Sequence, residues 1–146
     1  MTGTVFVDTN VFLYVFDPAD ISKQNAAQAW REELWKNRTG RISDQVLQEF
    51  YVKAAKKWPE SRYEIRAEVT DLFAWQPVTV DAHIQDRGWK LQDRYQLSFW
   101  DSLIVAAAAS AGCRYLLTED LQNGQELDGV LVINPFLTSP QLLFAK

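Results

Sequence analysis

Four carboxylates stand where carboxylates are expensive: Asp8 in VFVDTN, Glu49 in VLQEF, Asp101 in LSFWDSLIVA and Asp120 in YLLTED. Asp8 and Asp120 follow apolar runs that read as buried strands, whereas Glu49 and Asp101 sit among apolar residues at helical spacing. An unpaired carboxylate in such surroundings costs free energy unless something compensates it. If the four meet, a hard divalent cation is the simplest compensation, because carboxylate oxygens suit Mg²⁺ or Mn²⁺ and the cation offsets their repulsion. Each acid also has a plain structural reading. Asp8 precedes an expected helix and suits its N-cap. Glu49 lies at the edge of an apolar stripe and suits a solvated helix face. Asp101 is the last residue of a capping box opened by Ser98, where the helix dipole also favours negative charge. Asp120 suits a turn after a strand, and Glu119 beside it competes for any role.

Other chemistries are hard to build from this composition. His83 is the sole histidine, which disfavours a Ser-His-Asp triad, a Cys-His pair or a multi-histidine zinc site. It reads as a helix-surface residue. Cys113, also alone, lies in an alanine-rich stretch and reads as a small packed side chain that cannot form a disulfide within the chain. At 146 residues the chain suits one domain, 1–146, with a core that needs neither disulfides nor structural zinc. No basic segment followed by an apolar core opens it. Its longest apolar stretch, 103–109, is far short of the roughly 20 residues that cross a bilayer, so a cytoplasmic protein with no membrane association is expected. The net charge of −4 argues against indiscriminate coating of nucleic acid. The basic residues are nevertheless grouped, with Lys53, Lys56, Lys57, Arg62 and Arg66 in one segment and Arg87, Lys90 and Arg94 in another, interleaved with Trp89 and Tyr95.

The elements that must position the acids can be read from periodicity. Residues 4–7 form a short β-branched and aromatic run suited to a central strand, and 8–16 turn from it into a helix stopped by Asp17 and Pro18. Helices are expected over 22–38, 44–58, 60–74 and 81–95, the second stopped by Pro59 and the last capped by Asp81. The most apolar helix starts at Ser98 and ends near Gly112. Strands are expected at 41–43, at 76–80 as an edge because of Pro77, and at 115–118 and 130–133, the last two separated by a polar loop over 119–129. This alternation predicts an α/β sandwich with a mainly parallel sheet, in which ligands sit outside the carboxyl ends of the strands. Asp8 and Asp120 both fall there.

The segments VFVDTNVFLY, ISDQVLQEFYV, LSFWDSLIVAAA, YLLTEDLQNG and VINPF, in this order over nearly the whole chain, resemble those of the PIN-domain nucleases, and within them the VapC-type toxins of prokaryotic toxin–antitoxin pairs. The resemblance implies a PIN-like α/β/α sandwich and a metal-dependent endoribonuclease. By position it implies an acidic site of Asp8, Glu49, Asp101 and Asp120, with Asp8 and Asp101 as direct ligands of Mg²⁺ or Mn²⁺ and Thr9, Asn10 and Thr118 in support. It further implies an RNA substrate, a second copy of the chain and a VapB-type antitoxin as partners. The mechanism expected of such a site is hydrolysis by a metal-activated water, leaving 5′-phosphate and 3′-hydroxyl ends. Lys53, Lys56, Lys57, Arg87, Lys90 and Arg94 are the candidates to hold the RNA backbone, Trp89 or Tyr95 to stack on a base, and Trp30, Trp35 and Trp58 to form an apolar interface. Two rivals remain. An aspartate-nucleophile phosphohydrolase needs a second acid where this chain has Asn10, and a degenerate PIN fold would bind RNA or protein without cleaving.

Overall fold

The structure, a computed structural model, describes residues 3–144; the ends of the expected 1–146 domain lie outside them. Short apolar runs, β-branched in the first and last, form the strands β1 (Val5–Val7), β3 (Tyr115–Leu117) and β5 (Val130–Ile133), joined by the two-residue β2 (Gly40–Arg41) and β4 (Glu126–Leu127). They make one sheet in the order β2-β1-β3-β5-β4, parallel throughout except for the antiparallel β4–β5 pair. The chain leaves β1 for β2 on one side, while β3 lies on the other. The crevice at the carboxyl ends of β1 and β3 is therefore the switch point where parallel sheets offer a ligand site.

The helices are α1 (Thr9–Phe16), α2 (Ile21–Asn37), α3 (Asp44–Lys57), α4 (Arg62–Leu72), α5 (Ala82–Tyr95), α6 (Phe99–Ser110) and α7 (Pro140–Leu143). All but α4 start after a side-chain cap: Asp8, Asp20, Ser43, Asp81, Ser98 and Ser139 each accept a hydrogen bond from a backbone N–H of the turn they open. Gly112, in the left-handed region at φ 73, ends α6 as the sequence predicts. Val7 and Leu117 meet Phe12, Trp30, Leu34 and Trp75 on one face of the sheet, and α6 packs against β3, β5 and α5. The α5–α6 approach is close: a Cβ at Gly88 would come within 3.0 Å of Leu103. The result is an α/β/α sandwich. Among the described residues no helix is long and apolar enough to cross a membrane.

Three expectations need correction. Residues 76–80 make no strand; Val78 forms one isolated parallel bridge with Ser43, and the side chain of Asp44 accepts the N–H of Val80 at 3.2 Å where a ladder would continue. The helix expected over 60–74 is α4 flanked by 3₁₀ turns at Pro59–Ser61 and Phe73–Trp75. Trp30, a candidate for an apolar interface, lies instead in the core of the chain itself. It is wholly buried, and its indole N–H donates to the carbonyls of Pro135 and Thr138 at 3.2 and 3.0 Å, tying α2 to the C-terminal segment.

Candidate functional site

β1 and β3 are in register, Val7 opposite Leu117, so the residues that follow them, Asp8 and Thr118, become neighbours. The Thr118 hydroxyl donates to Asp8 Oδ2 at 2.9 Å, and its oxygen accepts the N–H of Asp120 at 3.1 Å. The other Asp8 oxygen caps α1 by accepting the Thr9 N–H at 2.7 Å. Capping and site placement therefore coexist. Asn10, one turn into α1, donates to Asp120 Oδ2 at 3.1 Å. From α6, Ser98 accepts the N–H of Asp101 at 3.1 Å, which fixes the first turn and brings Asp101 to the same place. Glu49 comes from α3, where Gln45 Nε2 donates to Oε1 at 3.1 Å and Lys53 Nζ lies 3.7 Å from Oε2.

Asp8, Glu49, Asp101 and Asp120 all line one cleft of about 100 Å³, together with Thr9, Asn10, Gln45, Lys53, Trp100 and Ile104. Asp8 forms its floor at 8% exposure. Burial pushes its carboxyl up from 3.8 to about 6. Hydrogen bonds from Thr118 and Thr9 act against that rise, and the charges of Asp120 and Asp101 add to it. Asp120 is raised as well, first by burial and then by Asp101 and Glu119, against Asn10 and Lys53. Because Asp120 stands at the exposed mouth, solvent screens it, and its rise matters less for folding than that of Asp8. Glu119 is outside the cleft, paired with Lys23 at 2.9 Å.

Among the basic candidates only Lys53 lines the cleft. Lys57 pairs with Asp17, Arg87 with Asp128 and Lys90 with Asp86, while Arg94 lies over the Tyr95 ring and Lys56 points to solvent. Two cleft residues escaped the sequence reading. Trp100 lines the wall at 64% exposure, although its position beside Asp101 in a polar-opened turn was a usable signal. Gln45, one turn before Glu49, carries a buried Oε1 with no hydrogen-bond partner.

The donor chemistry fits a hard cation. The charge of Asp101 raises the proton affinity of both Asp8 and Asp120 around a small cleft, and the unpartnered Gln45 oxygen beside them is an acceptor that a hydrated cation would satisfy. The cage is not preformed: among the described residues no three Asp, Glu, His or Cys side chains are close enough to grip an ion as they stand.

A mainly parallel α/β/α sandwich with an acidic cleft at its switch point defines the class. The chain belongs to the PIN domain family, whose model matches residues 5–123, a span that contains all four cleft acids. It is similar in fold to a toxin–antitoxin complex from Klebsiella pneumoniae, with 22% identity over 90% of this chain and 98% of that one and a TM-score of 0.66. It is likewise similar to FitAB bound to an IR36 DNA fragment, with 19% identity over 91% and 96% and a TM-score of 0.70. A third likeness is VapC20 of Mycobacterium tuberculosis, a Sarcin-Ricin loop cleaving toxin, with 16% identity over 77% and 87% and a TM-score of 0.57. No curated protein matches the chain in sequence.

Proposed function

We propose that this protein is a metal-dependent endoribonuclease, the toxin of a type II toxin–antitoxin pair. The observation that carries the reading is the meeting of Asp8, Glu49, Asp101 and Asp120 in one cleft at the sheet's switch point. Asp8 and Asp101 would hold Mg²⁺ or Mn²⁺, with Asp120 and Glu49 completing the set and Glu49 orienting the attacking water. The bound cation supplies Lewis acidity and a water of lowered pKa. Thr118 and Thr9 keep the Asp8 carboxylate aimed, and Asn10 does the same for Asp120. Lys53 would meet a phosphate oxygen, and the exposed indole of Trp100 would stack on an unpaired base. Lys56, Lys57, Arg87, Lys90 and Arg94 stand outside the cleft and would touch only RNA that extends beyond it.

Relatives of this fold solved as a toxin–antitoxin complex and as FitAB on DNA support a VapB-type antitoxin as partner. VapC20, described as cleaving the Sarcin-Ricin loop, supports RNA as the substrate. The reading also takes in a homodimer and a cytoplasmic location. Purified protein should cleave a mixed RNA pool in Mg²⁺ or Mn²⁺, leave 5′-phosphate ends, and stop in EDTA or as Asp8→Asn or Asp101→Asn. Cleavage that survives EDTA and both substitutions would remove the proposal. Produced alone in a bacterial host it should arrest growth, and Asp8→Asn should relieve the arrest at equal protein abundance. One observation favours a second reading, a PIN fold that binds without cleaving: the cleft holds no ready-made three-acid cage among the described residues. Retained RNA binding with no metal-dependent cleavage would select it.

A further inference from the structure

A second recess, of about 440 Å³, opens beside the β2 edge and shares no residue with the acidic cleft. The last turn of α2 and its cap supply Trp35 and Arg38, β2 supplies Arg41, and the second 3₁₀ turn with its cap supplies Ala74, Trp75 and Gln76. Arg38 and Gln76 both hold left-handed backbone, at φ 58 and 56, a conformation that few side chains other than Gly and Asn take readily. Trp75 is fixed by close packing, since a Cβ on Gly40 would lie 2.6 Å from its ring. Trp35 remains 39% exposed.

Charge in this region is uneven. Arg31, which lies over the Trp35 ring, is neutralised by Glu68 through two hydrogen bonds of 2.9 and 2.6 Å. Arg38 and Arg41, in contrast, have no carboxylate within 4.0 Å among the described residues. Arg41 is nevertheless oriented, because Nη1 donates to the carbonyls of Gly40 at 2.7 Å and Arg38 at 3.2 Å. Two uncompensated guanidiniums in a chain of net charge −4 mark the recess for an anion. The volume far exceeds that of a bare oxyanion, the exposed Trp35 indole suits a planar aromatic group, and the Gln76 amide offers both a donor and an acceptor to a heterocycle edge.

One ligand class uses all of these features together. We propose that the recess binds a nucleoside phosphate, the phosphate paired with Arg38 and Arg41 and the base laid against Trp35 with its edge toward Gln76. The source is either a free nucleotide or a nucleotide within an RNA strand. The site is independent of catalysis in the acidic cleft, so it stands or falls separately from the proposed ribonuclease.

Titrations of the full chain in EDTA with adenosine 5′-monophosphate, adenosine, inorganic phosphate and a short oligoadenylate, followed by calorimetry, test the proposal. Adenosine 5′-monophosphate should bind about tenfold or more tightly than adenosine or phosphate, and the Arg38→Gln, Arg41→Gln double variant should weaken it by about tenfold or more, as expected for loss of charge-assisted hydrogen bonds. Trp35→Leu should weaken the nucleotide and leave phosphate binding unchanged. Tighter binding of the oligoadenylate than of the monophosphate assigns the recess to an RNA strand, and equal binding assigns it to free nucleotide. No binding at millimolar nucleotide, binding unaltered in the folded double variant, or phosphate bound as tightly as the nucleotide would overturn the proposal.

Discussion

Asp8 should make the metal-free protein lose stability as pH rises, and Asp8→Asn should abolish that loss. The carboxyl is raised from 3.8 to about 6 in the fold, so between these values the folded state binds more protons than the unfolded one. Stability then falls with rising pH, because deprotonation must occur against burial and the neighbouring carboxylates. At about 1.4 kcal/mol per pH unit the whole effect is about 3 kcal/mol, of which about 1 is lost by pH 4.5 and about 2 more by pH 7.5. The amide of Asn carries no charge and can still accept the Thr9 N–H, but its Nδ2 cannot accept from Thr118, which costs about 1 kcal/mol. The variant should therefore be about 2 kcal/mol more stable than the parent at pH 7.5 in EDTA and close to it at pH 4.5. Urea unfolding followed by tryptophan fluorescence at the two pH values measures this directly. The depressed carboxyl of Asp17 titrates in both proteins and cancels in the difference. A stability difference between variant and parent that does not change with pH would refute the reasoning.

Millimolar Mg²⁺ or Mn²⁺ should raise the melting temperature of the parent protein and raise it less in Asp8→Asn and Asp101→Asn, since a cation that binds only the fold stabilises it by mass action; equal shifts in all three would place the cation elsewhere. Trp100→Ala, at an exposed position, should change stability by only about 0.5 kcal/mol or less yet raise KM for single-stranded RNA, and an unchanged KM would remove Trp100 from substrate contact. Gly40→Ala drives a methyl group to 2.6 Å from the Trp75 ring, and the forced shift should cost about 1–3 kcal/mol in urea unfolding; an unaltered midpoint would show that the ring yields freely.

Local signals made much of the architecture legible. Short apolar runs marked the central strands, and Asp8, Asp81 and Ser98 marked helix starts because a cap acts within one turn of its own residue. What escaped was short or long-range. β4 has two residues, too few to show a period, and α7 is a single turn opened by Ser139 and Pro140. Residues 76–80 have strand-like composition, but the side chain of Asp44 takes the Val80 N–H, a contact no local pattern encodes. In the candidate site, acids at strand ends and among apolar residues at helical spacing could be singled out from the sequence, whereas the Thr118 link between Asp8 and Asp120 depends on the register of β1 against β3. The surroundings of the cationic candidates were illegible for a related reason. Arg87 is engaged by Asp128, far away in sequence, and clustering along the chain says nothing about such pairing. Trp30 shows the same limit, since its partners lie in the C-terminal segment.

The two margins of the sheet bear on how copies of this chain avoid each other. An exposed strand edge is a template on which another polypeptide can add a strand and begin aggregation. Here one margin, β4, is only two residues long, and the other, β2, is equally short and runs into Ile42 and Ser43, where Val78 takes the Ile42 carbonyl at 2.9 Å and gives its own carbonyl to Asp44 at the same distance. Pro77, just before that contact, has no N–H with which to extend it. The segment that fails to become a sixth strand thus works as a stopper. It satisfies the outer hydrogen bonds next to β2 and presents no regular ladder of its own, so the sheet that carries the cleft is poorly suited to growth by strand addition from either side.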